Sequence, residues 1–229
     1  MLILGLTKTT LLDYPGKVAA TVFTGGCNFR CPYCHNGQLV INPSSEPKIT
    51  EDEVFEHLTK RRKVLEGVCI TGGEPTIQAD LKDFICRIKD MGYMIKLDTN
   101  GTNPKKMLEF IREGLIDYVA MDVKNSPNKY GITTGCNEQA FKNVAESVEI
   151  LKSEITPYEF RTTVVRQFHT DADLQEIAEW IHGTSKWYLQ SYKESDSVIQ
   201  KGLSAYTKDE LVRMTENIEG IDVVLRGLD

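Results

Sequence analysis

No stretch of the 229-residue sequence stays apolar long enough to cross a bilayer. The first residues, Met1-Leu2-Ile3-Leu4, are apolar but lack the basic start and small-residue cleavage site of a secretory leader. With a mean hydropathy of −0.30, a cytoplasmic protein with no membrane role is expected. Positive charge is also in deficit, with 27 Lys and Arg against 33 Asp and Glu, a net charge of −6. Binding nucleic acid requires clustered cations to neutralise phosphates, so no nucleic-acid partner is expected. The main basic run, Lys60-Arg61-Arg62-Lys63, falls near the end of an expected helix, where it complements the helix dipole. Linkers rich in Pro, Gly or Ser, low-complexity tracts and short repeats are all lacking. A single domain over residues 1–229 is therefore expected, with 1–17 as an extension before the first strand. A secreted disulfide framework is excluded by the uneven use of six cysteines. Three fall within eight residues, while Cys69, Cys86 and Cys136 stand apart and read as small buried hydrophobes.

What is present is an alternation of short apolar runs with amphipathic stretches. Strands are expected over residues 18–23, 68–70, 93–98, 118–122, 158–165 and 186–190, with a last one at 223–225. Between them, helices are expected over 50–65, 81–90, from Asn103-Pro104 to near Gly114, and over 137–152, 171–181 and 207–217. Thr50 with Glu53, and Thr207 with Glu210, have the spacing of capping boxes. Six strands alternating with helices imply an α/β fold with a parallel sheet and right-handed crossovers. The sheet is either doubly wound and open or a full or partial βα barrel. In both forms the chemistry belongs at the C-terminal ends of the strands.

The unusual residues lie at those ends. After the first strand comes Gly25-Gly26-Cys27-Asn28-Phe29-Arg30-Cys31-Pro32-Tyr33-Cys34-His35-Asn36, a C-x3-C-x2-C arrangement. Three thiolates are one short of the usual complement for a [4Fe–4S] cluster, which leaves one iron open to a substrate. The alternative from a different class is a zinc-stabilised binding module with His35 as fourth ligand. After the second strand, Gly72-Gly73 lets a backbone approach a ligand closely, and Glu74 adds a carboxylate. The third strand ends Asp98-Thr99-Asn100-Gly101 and the fourth Asp122-Val123-Lys124. Charges at successive strand ends face the ligand crevice, though either Asp is equally at home as a cap or loop residue. Gln190, at the end of the sixth strand, is a weaker candidate for the same rim.

These motifs together resemble the radical S-adenosylmethionine enzymes, in which an aromatic residue precedes the third Cys and a Gly-Gly-Glu follows the second strand. The D-T-N-G and D-x-K strand ends resemble the branch that activates glycyl radical enzymes. The resemblance implies a partial (β/α)6 barrel over residues 18–229. It also implies a [4Fe–4S] cluster on Cys27, Cys31 and Cys34 that cleaves S-adenosylmethionine reductively, fed by an electron donor such as flavodoxin or ferredoxin. Gly72, Gly73 and Glu74 would hold S-adenosylmethionine, and Lys124 would pair with its carboxylate. Asp98, Thr99 and Asp122 would surround that carboxylate too, either directly or through a monovalent cation. Arg161 is a second candidate there, or a surface strand charge. Tyr33 would lie near the adenine, with His35 and Asn36 hydrogen-bonding to it, unless these three simply pack the loop. The lead-in from Lys8 to Lys17 resembles the longer activating proteins of anaerobic ribonucleoside-triphosphate reductase. The same motifs would serve an activator of pyruvate formate-lyase, or a radical enzyme acting on a small molecule.

Overall fold

The computed structural model describes residues 1–184 and 186–228. Strand β1 (Ile3–Thr10) pairs antiparallel with β2 (Ala19–Thr24), Leu6 lying opposite Val22. From β2 onward, strands and helices alternate. A short α1 (Gly37–Ile41) and α2 (Glu51–Lys60) precede β3 (Gly67–Gly72), and α3 (Leu81–Asp90) precedes β4 (Met94–Thr99). Helix α4 (Pro104–Arg112) leads to β5 (Tyr118–Asp122), and a short α5 (Tyr130–Thr134) and long α6 (Glu138–Lys152) lead to β6 (Tyr158–Val164). Helix α7 (Asp171–Trp180) connects to β7 (Lys186–Ser191), and α8 (Lys208–Thr215) to β8 (Asp222–Arg226). The sheet runs in chain order from β1 to β8 and is parallel from β2 onward. Because β1 and β8 do not pair with each other, the barrel is partial and open.

Local chemistry starts the helices. Thr50 with Glu53, Thr170 with Asp173, and Thr207 with Glu210 form capping boxes, while Asn103 and Asn137 cap α4 and α6. Side chains alternate along each strand, so one face is apolar and the other polar. On β4, Ile95 and Leu97 join a single hydrophobic core that also includes Leu81, Phe84, Ile85 and Ile88 of α3. Lys96 and Asp98 occupy the opposite face. None of the described helices is long and apolar enough to cross a membrane.

Four features differ from the sequence-based expectation. Residues 1–17 are more than an extension, since they contain edge strand β1. An antiparallel edge has no helical crossover, so the βα alternation gives no sign of it. Helix α2 stops at Lys60 rather than near Leu65, because turns at Arg61–Val64 carry Leu65 down into the core. Of the basic run, Lys60 pairs with Glu56 and the rest is exposed. The short helices α1 and α5, five residues each, fall below the length at which periodicity is readable. The stretch at 223–225 extends into a full strand, β8, completing six βα units with a final strand.

Candidate functional site

The two loops at the C-terminal ends of β2 and β3 dock backbone to backbone. Gly73 N–H donates to Thr24 O at 2.8 Å, and Glu74 N–H donates to Gly26 O at 2.8 Å. A Cβ on Gly73 would lie 1.8 Å from Gly26 O. Gly72 has φ +116°, and a Cβ there would lie 2.3 Å from Thr24 N. Both glycines border the cavity, but the immediate reason for them is this close contact between chain segments.

The cysteine loop is pinned at several further points. Arg30 N–H donates to Thr134 O at 2.8 Å, Gln200 N–H to Pro32 O at 2.8 Å, and Gly26 N–H to Leu39 O at 2.7 Å. Asn36 Nδ2 donates to Gly72 O at 2.7 Å. Tyr33 is buried against Phe168 and His169 and donates its hydroxyl to Lys124 O at 2.9 Å. His169 meets the same carbonyl through Nε2 at 2.9 Å. Nε2 is the donor there, since a carbonyl only accepts, and Nδ1 lies 3.1 Å from Val165 N and 3.3 Å from Val165 O.

Cys27, Cys31 and Cys34 line one cavity of about 220 Å³. Burial pushes the Cys27 thiol up to about 11 and the Cys31 thiol up to about 12, and Lys124 only partly offsets the rise. Cys34 is raised by the same cause. Three thiols raised in this way, Cys31 buried and Cys27 and Cys34 half-buried, need a cationic centre to become thiolates. Among the described residues, no three His, Cys, Asp or Glu side chains close around a single metal ion. A cubane asks something different, since each of its irons takes its own thiolate. The donor set therefore fits a [4Fe–4S] cluster better than tetrahedral zinc. His35, the fourth ligand of the zinc alternative, borders the same cavity. Its Nε2 is 2.8 Å from Lys193 O, and its ring stacks on Tyr192.

Across the cavity, a chain of charges runs over β4, β5 and β6. Lys96 Nζ pairs with Asp98 Oδ1, whose Oδ2 accepts from Arg161 Nη1 at 3.0 Å. Arg161 Nε donates to Asp122 Oδ1 at 2.9 Å, and Lys124 Nζ donates to Asp122 Oδ2 at 2.9 Å. Burial pushes both carboxyls up, but the charges around them prevail and hold both below the usual carboxylate range. Burial works against the Lys124 ammonium, yet Asp122 and the thiols hold it above the usual lysine range. Arg161 is thus an interior member of the network rather than a surface strand charge.

Two expected site residues spend their polar groups on the protein itself. Glu74 is fully buried and does not line the cavity. Its Oε1 accepts from Thr76 N–H at 3.0 Å, Thr76 Oγ1 at 2.6 Å and Thr99 Oγ1 at 2.9 Å, and its Oε2 from Asn100 N–H at 2.6 Å. It ties the β3 loop to the β4 loop. Thr99 borders the cavity, but its hydroxyl is spent on Glu74 and on Gly101 N–H. Sequence reasoning passed over Lys96, Asn100 and His169. Asn100 Nδ2 lies 3.8 Å from Cys27 Sγ, and its place beside Asp98 and Thr99 was the available signal. For Lys96 the signal was an i, i+2 spacing from Asp98 on a strand. For His169 there was none. Gln190 lines the cavity, and Cys69 is buried as expected, whereas Cys86 and Cys136 are only half-buried.

The family model of the Radical SAM superfamily matches residues 21–181. A Methanocaldococcus jannaschii protein, named as a candidate glycyl-radical enzyme activating enzyme, is 34% identical over 200 residues, covering 86% of this chain and 82% of its own. The pyruvate formate-lyase-activating enzyme of Clostridium pasteurianum is 29% identical over 145 residues, or 61% of this chain and 59% of its own. In fold, the chain resembles Streptococcus suis SuiB bound to S-adenosylmethionine. The TM-score is 0.69 at 13% identity, over 88% of this chain and 48% of that one.

Proposed function

This chain belongs to the radical SAM superfamily, and on that premise we propose that it activates a glycyl radical enzyme by removing hydrogen from a glycine of that partner. As a member of the family it is an enzyme that uses a [4Fe–4S] cluster and S-adenosylmethionine. The cluster, when bound, supplies the electron that cleaves the sulfonium and gives a 5′-deoxyadenosyl radical. The observation that carries the reading is that one cavity is shared by three thiols and by the linked charges of Asp98, Arg161, Asp122 and Lys124.

In this reading Cys27, Cys31 and Cys34 hold the cluster. Lys124 and Arg161 present donors to the carboxylate of S-adenosylmethionine, and Gly72-Gly73 offers backbone beside it. Asn36 and Tyr33 keep the cysteine loop in register with β3 and β5. The gap between β1 and β8 leaves the sheet open, which suits a polypeptide segment as substrate. The relative named as a candidate glycyl-radical enzyme activating enzyme and the one named as a pyruvate formate-lyase-activating enzyme support the reaction class. The Lys8–Lys17 lead-in favours anaerobic ribonucleoside-triphosphate reductase as partner, and the donor in this reading is a flavodoxin or ferredoxin. Pyruvate formate-lyase is the second reading, favoured by the Clostridium relative.

The test is anaerobic reconstitution, reduction, and electron paramagnetic resonance with and without S-adenosylmethionine, followed by addition of each candidate partner. A glycyl doublet on the reductase, with stoichiometric 5′-deoxyadenosine, is the expected result. A doublet only on pyruvate formate-lyase would shift the partner. Formation of 5′-deoxyadenosine with neither would move the chain to small-molecule chemistry. Lys124→Ala should retain the cluster and weaken S-adenosylmethionine binding about 10–100-fold, the worth of one hydrogen bond to a charged group.

A further inference from the structure

The carboxylates of Asp98 and Asp122 are where a monovalent cation would bind if this chain used one. The residues do not fit such an ion. All four carboxylate oxygens are already taken by cations of the chain itself. Asp98 Oδ1 meets Lys96 Nζ and also lies 3.6 Å from Cys69 Sγ, and Asp98 Oδ2 meets Arg161. Asp122 Oδ1 meets Arg161 and Oδ2 meets Lys124. The Thr99 hydroxyl, a third oxygen expected there, is committed to Glu74 and Gly101. Three cations against two carboxylates leave one net positive charge, so a further cation would meet repulsion at oxygens that each already carry a cation of the chain.

Lys96 is the member that decides this. It is 2% exposed, lies behind Asp98 and does not border the cavity. A buried ammonium must be paired to be tolerated, and its partner here is one of the two carboxylates a metal ion would need. We infer that Lys96 and Arg161 serve as built-in cations at Asp98 and Asp122, so that S-adenosylmethionine binding by this chain requires neither sodium nor potassium. The inference rests on reading this cavity as the S-adenosylmethionine site. Lys96 is a positioning residue, acting through Asp98 on Arg161 and the rest of the chain.

The experiment measures binding of radiolabelled S-adenosylmethionine to reconstituted holoenzyme in choline, sodium and potassium chlorides at matched ionic strength, with sodium-23 NMR relaxation in parallel. The affinity is expected to agree within about twofold across the three salts, with no protein-dependent sodium relaxation that potassium competes away. An affinity about tenfold weaker in choline, or a sodium signal that potassium displaces, would overturn the inference. Lys96→Met vacates Asp98 Oδ1, so its affinity should fall about tenfold in choline and recover in potassium chloride. Equal loss in every salt would remove Lys96 from the role. Should that variant not fold, Lys96→Arg keeps the charge and should behave as the parent does; dependence on potassium in it would count against the inference. Failure to bind S-adenosylmethionine in any salt would instead sink the functional reading, and the sodium measurement would still decide the cation question.

Discussion

Cys31 is the most enclosed of the three site thiols, 6% exposed and raised furthest by burial. Cys31→Ala leaves two thiols, too few to hold a cubane. Iron and sulfide after reconstitution should fall to background, and parent-level iron would refute the ligand assignment. His169 makes a different kind of prediction. Burial holds it below the ordinary histidine range despite two backbone hydrogen bonds. The unfolded chain therefore takes up a proton first as pH falls, so folding stability drops below about pH 6.5 toward the folded value. Thermal unfolding between about pH 7.5 and 5.5 should show a steeper loss for the parent than for His169→Gln, and equal slopes would be the contrary result. The thiols were legible in the sequence because three of them share one loop. His169 was not, because its partners Tyr33 and Lys124 come from distant loops.

At the scale of elements, two backbone contacts seat the cysteine loop on the end of β3. Gly73→Ala would place a Cβ 1.8 Å from Gly26 O, where main chain must move. Gly92→Ala is the control, with φ +90° and open space around it. It should cost about 1–2 kcal/mol of strain and keep its iron. Gly73→Ala should cost about 3 kcal/mol or more, several degrees in melting temperature, and should lose cluster iron. Similar iron contents in the two variants would show that the docking does not matter to the cluster. The Gly-Gly-Glu run was visible as a motif, but its use differs from the first reading. The glycines permit contact between strands, and Glu74 closes four hydrogen bonds inward rather than facing a ligand. A motif names residue types at a spacing, and burial decides which way each side chain turns.

At the scale of the whole molecule, the open sheet is completed at one edge by its own N-terminus. Strand β1 covers the edge of β2, and the loop after it places Asp13 at 2.5 Å from Thr21 Oγ1. Tyr14 is buried beside Tyr118, and its ring would clash with any Cβ on Gly67. Residues 1–17 are thus part of the sheet's packing. Tyr14→Ala should destabilise the protein by about 3–5 kcal/mol, the cost of truncating a buried aromatic. Denaturant unfolding measures it, and a change below about 1 kcal/mol, the size of a typical surface effect, would mean the ring is dispensable.

The sequence alone determined the strand–helix alternation, the capped helix starts and the presence of three thiols and paired charges at strand ends. These are local properties, set by side-chain period, capping chemistry and spacing within one loop. Only the tertiary structure decided which charges meet. Asp98 and Arg161 are 63 residues apart, yet they share a salt bridge because β5 lies between β4 and β6 in register. The same packing spent the polar groups of Glu74 and Thr99 on the protein itself and gave Asp98 a buried lysine. A pairing over that distance depends on strand order and register, which no local pattern encodes.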